Sequence, residues 1–334
     1  MHARSALRCT LAFFAALLLS SAAQAQLFRA YLAINGNDAN PCTLPQPCRL
    51  LPAALNAVAD GGEVWLLDSA NYNTATVNIG KSVTILAVPG SVGSVVATGG
   101  PAIDIATTGV RVTLRNLVLV PLPGAGATNG ISMTAGDRLA IEDTLISNMP
   151  LVGVAVHAPA VVRVVGSTIR DNGQTGVYLG SGGRAAIARS TISGHSLYGF
   201  IAEGTSASTT RADIADSHFE GNNAAVVALS SVVDAAVNVA VRNSQFVGGV
   251  FGGGSQSVAG SGANFALADS LVSNNTTGIA SFGAGATVWV SGNKVTANGT
   301  GFFASGGTFE SAGNNALRNN GTNKSGTITT VALE

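Results

Sequence analysis

Six residues near the middle of the chain have the side chains that acid–base chemistry needs: Asp143, Arg170, Arg189, Asp216, His218 and Glu220. Asp143, Arg189 and Asp216 hold one place in a repeated pattern, with Gly166 between the first two. Arg170 and Glu220 hold another, with Ser193 between, and His218 alternates to the side of Glu220. A carboxylate beside a histidine or arginine can move protons on a uronic acid. The simpler reading is electrostatic. Arg189 beside Asp216, like Arg115 beside Glu142, reads as a surface ion pair of small worth, and it ranks above catalysis. Trp289, Tyr178 and Tyr198 are the ligand-binding candidates. Trp289 falls on the outward side of its segment, where an indole stacks on a sugar or is covered by a neighbouring loop. Only 5% of residues are aromatic, so no rich sugar platform is expected. No metal-ligand set or cofactor motif is read.

These residues are positioned by a repeat. Nine segments begin at Val112, Leu139, Val162, Ala185, Ala212, Val239, Phe265, Val288 and Glu310, spaced 22 to 27 residues apart. Periods of this length indicate a solenoid whose repeats bury their apolar faces against their neighbours. The first and third positions are apolar, the last segment's Glu310 excepted, and the second is mixed, which is the period of a strand. A small polar column follows, including Ser167, Ser190, Ser217, Ser244 and Asn293, and suits a bend. After a further apolar column come Asn172, Asn222, Asn275, Asn298 and Asn320, with His195 in the same place, and Asn turns a corner at low cost. Each repeat thus holds two or three short strands joined by sharp corners.

The pattern Ser167-x-Ile169-x-x-Asn172-x-x-x-Gly176-Val177 resembles the coils of the right-handed parallel β-helix, the pectin-lyase-like superfamily. The resemblance covers about Gly62 to the C-terminus. It implies an all-β fold and polysaccharide as the substrate class, with site residues on the outer face of a sheet. The polygalacturonase motifs Asn-Thr-Asp, Asp-Asp and Gly-His-Gly are absent, as is the epimerases' Asp-Pro-His. Gly194-His195-Ser196 is the nearest fragment, and His195 belongs to the turn column.

Composition adds limits. Of 334 residues, 17 are basic and 17 acidic, and a charge content of 10% argues against a nucleic-acid partner. Residues 1–25 read as a secretory signal, with Arg4 and Arg8 ahead of the apolar run Leu11 to Leu19 and Ala23-Gln24-Ala25 at the cleavage site. Cys42 and Cys48 then form the one local disulfide expected in an exported chain. Leu50, Leu51, Ala54, Leu55 and Val58 share a helical face that ends at Gly61-Gly62, a short cap before the first coil. The organisation expected is therefore a signal over 1–25, an entry segment with disulfide and capping helix over 26–61, and the β-helix over 62–334. No membrane span or anchor is read after signal cleavage. The expected function is an exported module, extracellular or periplasmic, that acts in polysaccharide binding or as a cell-surface or adhesion element, with polysaccharide or a cell-surface glycan as partner. A divergent lyase or glycoside hydrolase acting on acidic polysaccharide is the alternative.

Overall fold

The computed structural model describes residues 26–258 and 260–332; the leader expected over residues 1–25 lies outside them. Three parallel sheets wind into a solenoid. Sheet I has thirteen strands, and sheets II and III have eleven each. One coil runs from sheet I to II to III, as in Arg184–Ala188, Thr191–Ser193 and Tyr198–Gly204. Successive strands of each sheet pair with the next coil in parallel. Among the described residues a single helix, α1 (Leu51–Ala57), stands where the first coil lacks a sheet III strand. It starts at Pro52 in its first turn and buries Leu51, Ala54 and Leu55 against the core. Val58 belongs instead to the following strand. Sheet I begins at Leu27–Leu32, so the solenoid starts well before residue 62. The early repeats have no Asn or Ser ladder to betray them. Cys42 and Cys48 are bonded and fully buried, closing the first loop.

Alternation explains the core. In sheet I, Val164, Ile187, Ile214, Val241 and Leu267 stack inward at 0–3% exposure, one above another. The last repeat differs by one residue from the sequence alignment. Phe309, not Glu310, stacks on Val288, and Glu310 stacks beside outward-facing Trp289. The corner after this strand holds an extra residue, with Gly313 rather than Asn314 at positive φ. Counting back from Asn315 therefore slips the strand by one and swaps its faces.

The corners carry hydrogen-bond ladders. The buried N–H of Ser167 donates to Ser190 Oγ at 3.3 Å, Ser190 N–H to Ser217 Oγ at 3.3 Å, and Ser217 N–H to Ser244 Oγ at 3.2 Å. Each hydroxyl in turn donates to the carbonyl two residues before it, as Ser190 Oγ does to Ala188 O at 2.9 Å. The second corner repeats the device with amides: Asn275 N–H donates to Asn298 Oδ1, and Asn298 N–H to Asn320 Oδ1, both at 3.0 Å. Glycine follows this ladder in most coils, and a Cβ at Gly176 would lie 2.5 Å from the Gly199 carbonyl oxygen and 2.9 Å from His195, while Ala225 takes the same place after Asn222.

His195 is the one imidazole in the amide ladder, and it is 1% exposed. Its Nδ1–H donates to Asn222 Oδ1 at 2.7 Å, while Nε2 accepts from Asn172 Nδ2 at 3.1 Å. Only the neutral ring satisfies both bonds, and burial lowers its pKa below the ordinary 6.5. The unfolded chain thus binds the proton more readily than the native one. His195's contribution to stability is complete above about pH 6.5 and declines as pH falls from there toward the lowered native value. His195→Asn, which restores the ladder's usual residue, should flatten that fall in a melting-temperature profile from pH 7 to 5. Ser190→Ala should cost about 1–3 kcal/mol in chemical unfolding, since it leaves the buried Ser167 N–H without an acceptor.

Candidate functional site

Sheet I presents three outward columns. The first runs Arg111, Arg138, Val161, Arg184 and Arg211 on successive coils. The second includes Arg163, Ala186, Asp213, Ala240, Ala266 and Trp289, and the third Trp65, Arg115, Glu142, Ala188 and Arg242. Both tryptophans of the chain therefore face outward on the same sheet, nine strand steps apart, or about 43 Å at strand spacing. Near Trp289 the alanines make a smooth floor. A trough of about 400 Å³ runs over Ala186, Ala188, Ala240 and Ala266, bounded by Trp289, Asp213 and Arg242. A second hollow continues it past Arg211, Asn238 and Asn264. At the other end, the Arg29 guanidinium sits 4.0 Å over the Trp65 ring, and the Trp65 indole N–H donates to Glu63 at 2.9 Å.

Charge on this face is unbalanced. Arg163 pairs with Glu142 at 2.8 Å and Arg115 with Asp143 at 3.9 Å. Glu142 is thus taken by Arg163 and not by Arg115, as its sequence position suggests. Arg111, Arg138, Arg184, Arg211 and Arg242 have no ion-pair partner among the described residues. Arg184 and Arg211 are direct neighbours across two coils, as are Arg111 and Arg138. Like charges in register repel, by about 1 kcal/mol per pair in water. The column is hidden in the linear sequence because its members lie 23 to 27 residues apart and only folding aligns them.

The six acid–base candidates lie elsewhere, on the edge between sheets I and II and on sheet II. Asp143, Arg189 and Asp216 do share one column, the left-handed corner residue, with φ of 48°, 49° and 52°. Asp143 and Asp216 are three coils apart, about 14 Å at strand spacing, beyond the separation of glycosidase carboxylate pairs. The corner aspartates lean toward the following coil, as Asp143 does over Gly166. Asp216 accordingly accepts from Asn243 Nδ2, and no Arg189–Asp216 ion pair forms. Arg189, Asp216 and His218 line one shallow depression, and His218 Nε2 lies 3.2 Å from Glu220 in an exposed pair. Arg170 stays two coils from Glu220 and pairs with its own neighbour Asp171. Among the described residues no group of three His, Cys, Asp or Glu side chains is placed to hold a metal. No helix there is long and apolar enough to cross a membrane.

The tyrosines face outward on sheet III. Tyr178 packs on His157 with ring centroids 5.0 Å apart. Burial, with Glu203 nearby, pushes its phenol up to about 12. Tyr198 stands in a hollow with Phe251 and Phe282. Trp289 and the two tyrosines thus occupy different faces and do not form one site.

A family model described as "Right handed beta helix region" matches residues 102–269, half of the chain. The chain belongs to this right-handed β-helix family. No curated protein matches it by sequence. Among solved structures the β-helix is similar to the A-module of mannuronan C-5 epimerase AlgE6 from Azotobacter vinelandii, at TM-score 0.60 and 14% identity, over 83% of this chain and 87% of that one. It is also similar to XylC in complex with xylose, at TM-score 0.57 and 10% identity over 83% and 69%. Pectate lyase Pel9A matches at TM-score 0.50 and 15% identity over 91% and 77%. At these identities the likeness is one of fold.

Left-handed backbone suits Gly and Asn but not Arg, for which it costs roughly 1–2 kcal/mol. Arg189→Gly should raise stability by about 1 kcal/mol in chemical unfolding, a gain that identifies the position as strained by its side chain.

Proposed function

We propose that the chain is an exported, non-catalytic module that binds an acidic polysaccharide along the outward face of sheet I. The observation that carries this reading is the column of Arg111, Arg138, Arg184 and Arg211, left without carboxylate partners beside an alanine-floored trough that ends at Trp289. Guanidinium groups bind carboxylates through paired N–H donors, and an indole face stacks on a sugar ring. The coils set a fixed step of about 4.8 Å, so an extended polymer meets several arginines at once. The leader and the buried Cys42–Cys48 bond support export. The solved β-helices titled as a mannuronan epimerase, a pectate lyase and a xylose complex support a polysaccharide partner.

The second reading is a divergent lyase or hydrolase centred on Arg189, Asp216, His218 and Glu220. It is favoured only by Arg189, Asp216 and His218 lining one shallow depression with Glu220 beside His218, and the group is more open to water than charge stabilisation favours.

Titration calorimetry of residues 26–334 with polygalacturonate and alginate, against neutral polymers, tests the first reading. Binding of the acidic polymers should weaken steeply between 50 and 500 mM salt, roughly as counterion release demands, whereas any binding of neutral polymers should not depend on salt. The double variant R184S/R211S should lose ten-fold or more in affinity, as should Trp289→Ala, with melting temperatures within about 2 °C of the parent. Equal affinity for single-stranded DNA would mark a general polyanion face instead. Chain shortening of either polymer that disappears in Asp216→Ala or Glu220→Ala would favour the enzyme.

A further inference from the structure

The hollow on sheet III is a separate structure on a different face from the arginine column. Its floor is a single column, Val227, Gly254 and Ala280, on three successive coils. Gly254 leaves a notch because no side chain fits there: its φ is +149° and a Cβ would lie 1.8 Å from the Ala280 carbonyl oxygen. Tyr198 and Phe251 stand two coils apart in the adjoining column, with Ala224 between them. At strand spacing that gap is about 10 Å. Stacking places ring centres roughly 4.5–7 Å apart, so one six-membered ring fits against both walls. Phe282 closes the far side, its ring 5.8 Å from Phe251 in an edge-on contact. The hollow holds about 310 Å³, within the range of ligand sites.

The lining points to a ligand with hydroxyl groups and no charge. The lining contains no ionisable group except the Tyr198 phenol, while Asn223 and Gln256 place amides at its edge.

We infer that this hollow binds a neutral pyranose unit of a glycan, independently of the acidic polymer on sheet I. A neutral sugar presents an apolar C–H face to Tyr198 and Phe251 and hydroxyls to the amides at the rim. Tyr198 belongs to this site, and Tyr178, committed to His157, does not.

The test is calorimetric titration of residues 26–334 with xylohexaose, cellohexaose and mannohexaose, with the sugar-free neutral detergent tetraethylene glycol monooctyl ether below its critical micelle concentration as the apolar-chain control. Saturable binding of at least one hexaose is expected, weakened ten-fold or more in Phe251→Ala and in Tyr198→Ala and unchanged in Trp289→Ala. Far-UV circular dichroism and melting temperature establish that the variants fold, and both substituted rings face outward. The proposal is overturned if no hexaose binds at millimolar concentration, or if both ring variants bind as the parent does. It is also overturned if the detergent binds and the hexaoses do not, since the hollow then takes an aliphatic chain. Loss of hexaose binding in Trp289→Ala would move the neutral site to sheet I. Failure of acidic polymers to bind leaves these outcomes unaffected, so the two sites are judged separately.

Discussion

Where the repeated corners turn the backbone from sheet I to sheet II and from sheet II to sheet III, the N–H group just inside the turn has no strand to bond to. The next coil supplies the acceptor: a Ser hydroxyl at the first corner and an Asn amide at the second. An unpaired buried N–H costs about 1–3 kcal/mol, and the bend recurs in coil after coil. Without these ladders the repeated corner would be the weakest point of the fold. With them, each coil is fastened to its neighbour by polar side chains as well as by strand pairing. The ladders also fix register, because a slip of one residue would break every rung. The extra residue in the last corner shows the limit of that rule, since the rung at Asn315 is kept while the strand before it is displaced.

A fixed register turns the coil spacing into a ruler. Side chains separated by more than twenty residues in sequence become neighbours at a set step, and whatever is repeated in a column becomes a stripe. Sheet I uses the ruler for arginine and alanine, giving charge beside a flat floor. Sheet III uses it for aromatic rings around a glycine notch. The corner column uses it for Asp, Asn and Gly, which serve the backbone conformation first. This ordering explains why Asp143, Arg189 and Asp216 look arranged in the sequence and yet form no ion pair with one another. Their common column is a consequence of left-handed geometry.

The inward columns, the polar corner ladders and the capping helix were legible from residue types and spacing, because each reflects a rule that repeats. His195 in the Asn column was equally visible, and its two amide partners follow from the column. What escaped was anything carried by unequal spacing. The opening strand Leu27–Leu32 has no ladder residues to align. The last repeat slips because its corner is one residue longer. The arginine column is invisible to composition, since a chain with 17 basic and 17 acidic residues gives no hint that five arginines gather unpaired on one face. The alternation of repeat segments held that signal: the outward position just before the first apolar column reads Arg, Arg, Val, Arg, Arg from residue 111 to 211.

The central claim is that an acidic polymer lies on sheet I. A crystal structure of the β-helix with a hexamer of galacturonate bound tests it most directly. The account predicts carboxylates paired with Arg184 and Arg211 and a sugar ring against Trp289. A hexamer seated at Arg189, Asp216 and His218, with sheet I bare, would contradict it and favour the catalytic reading.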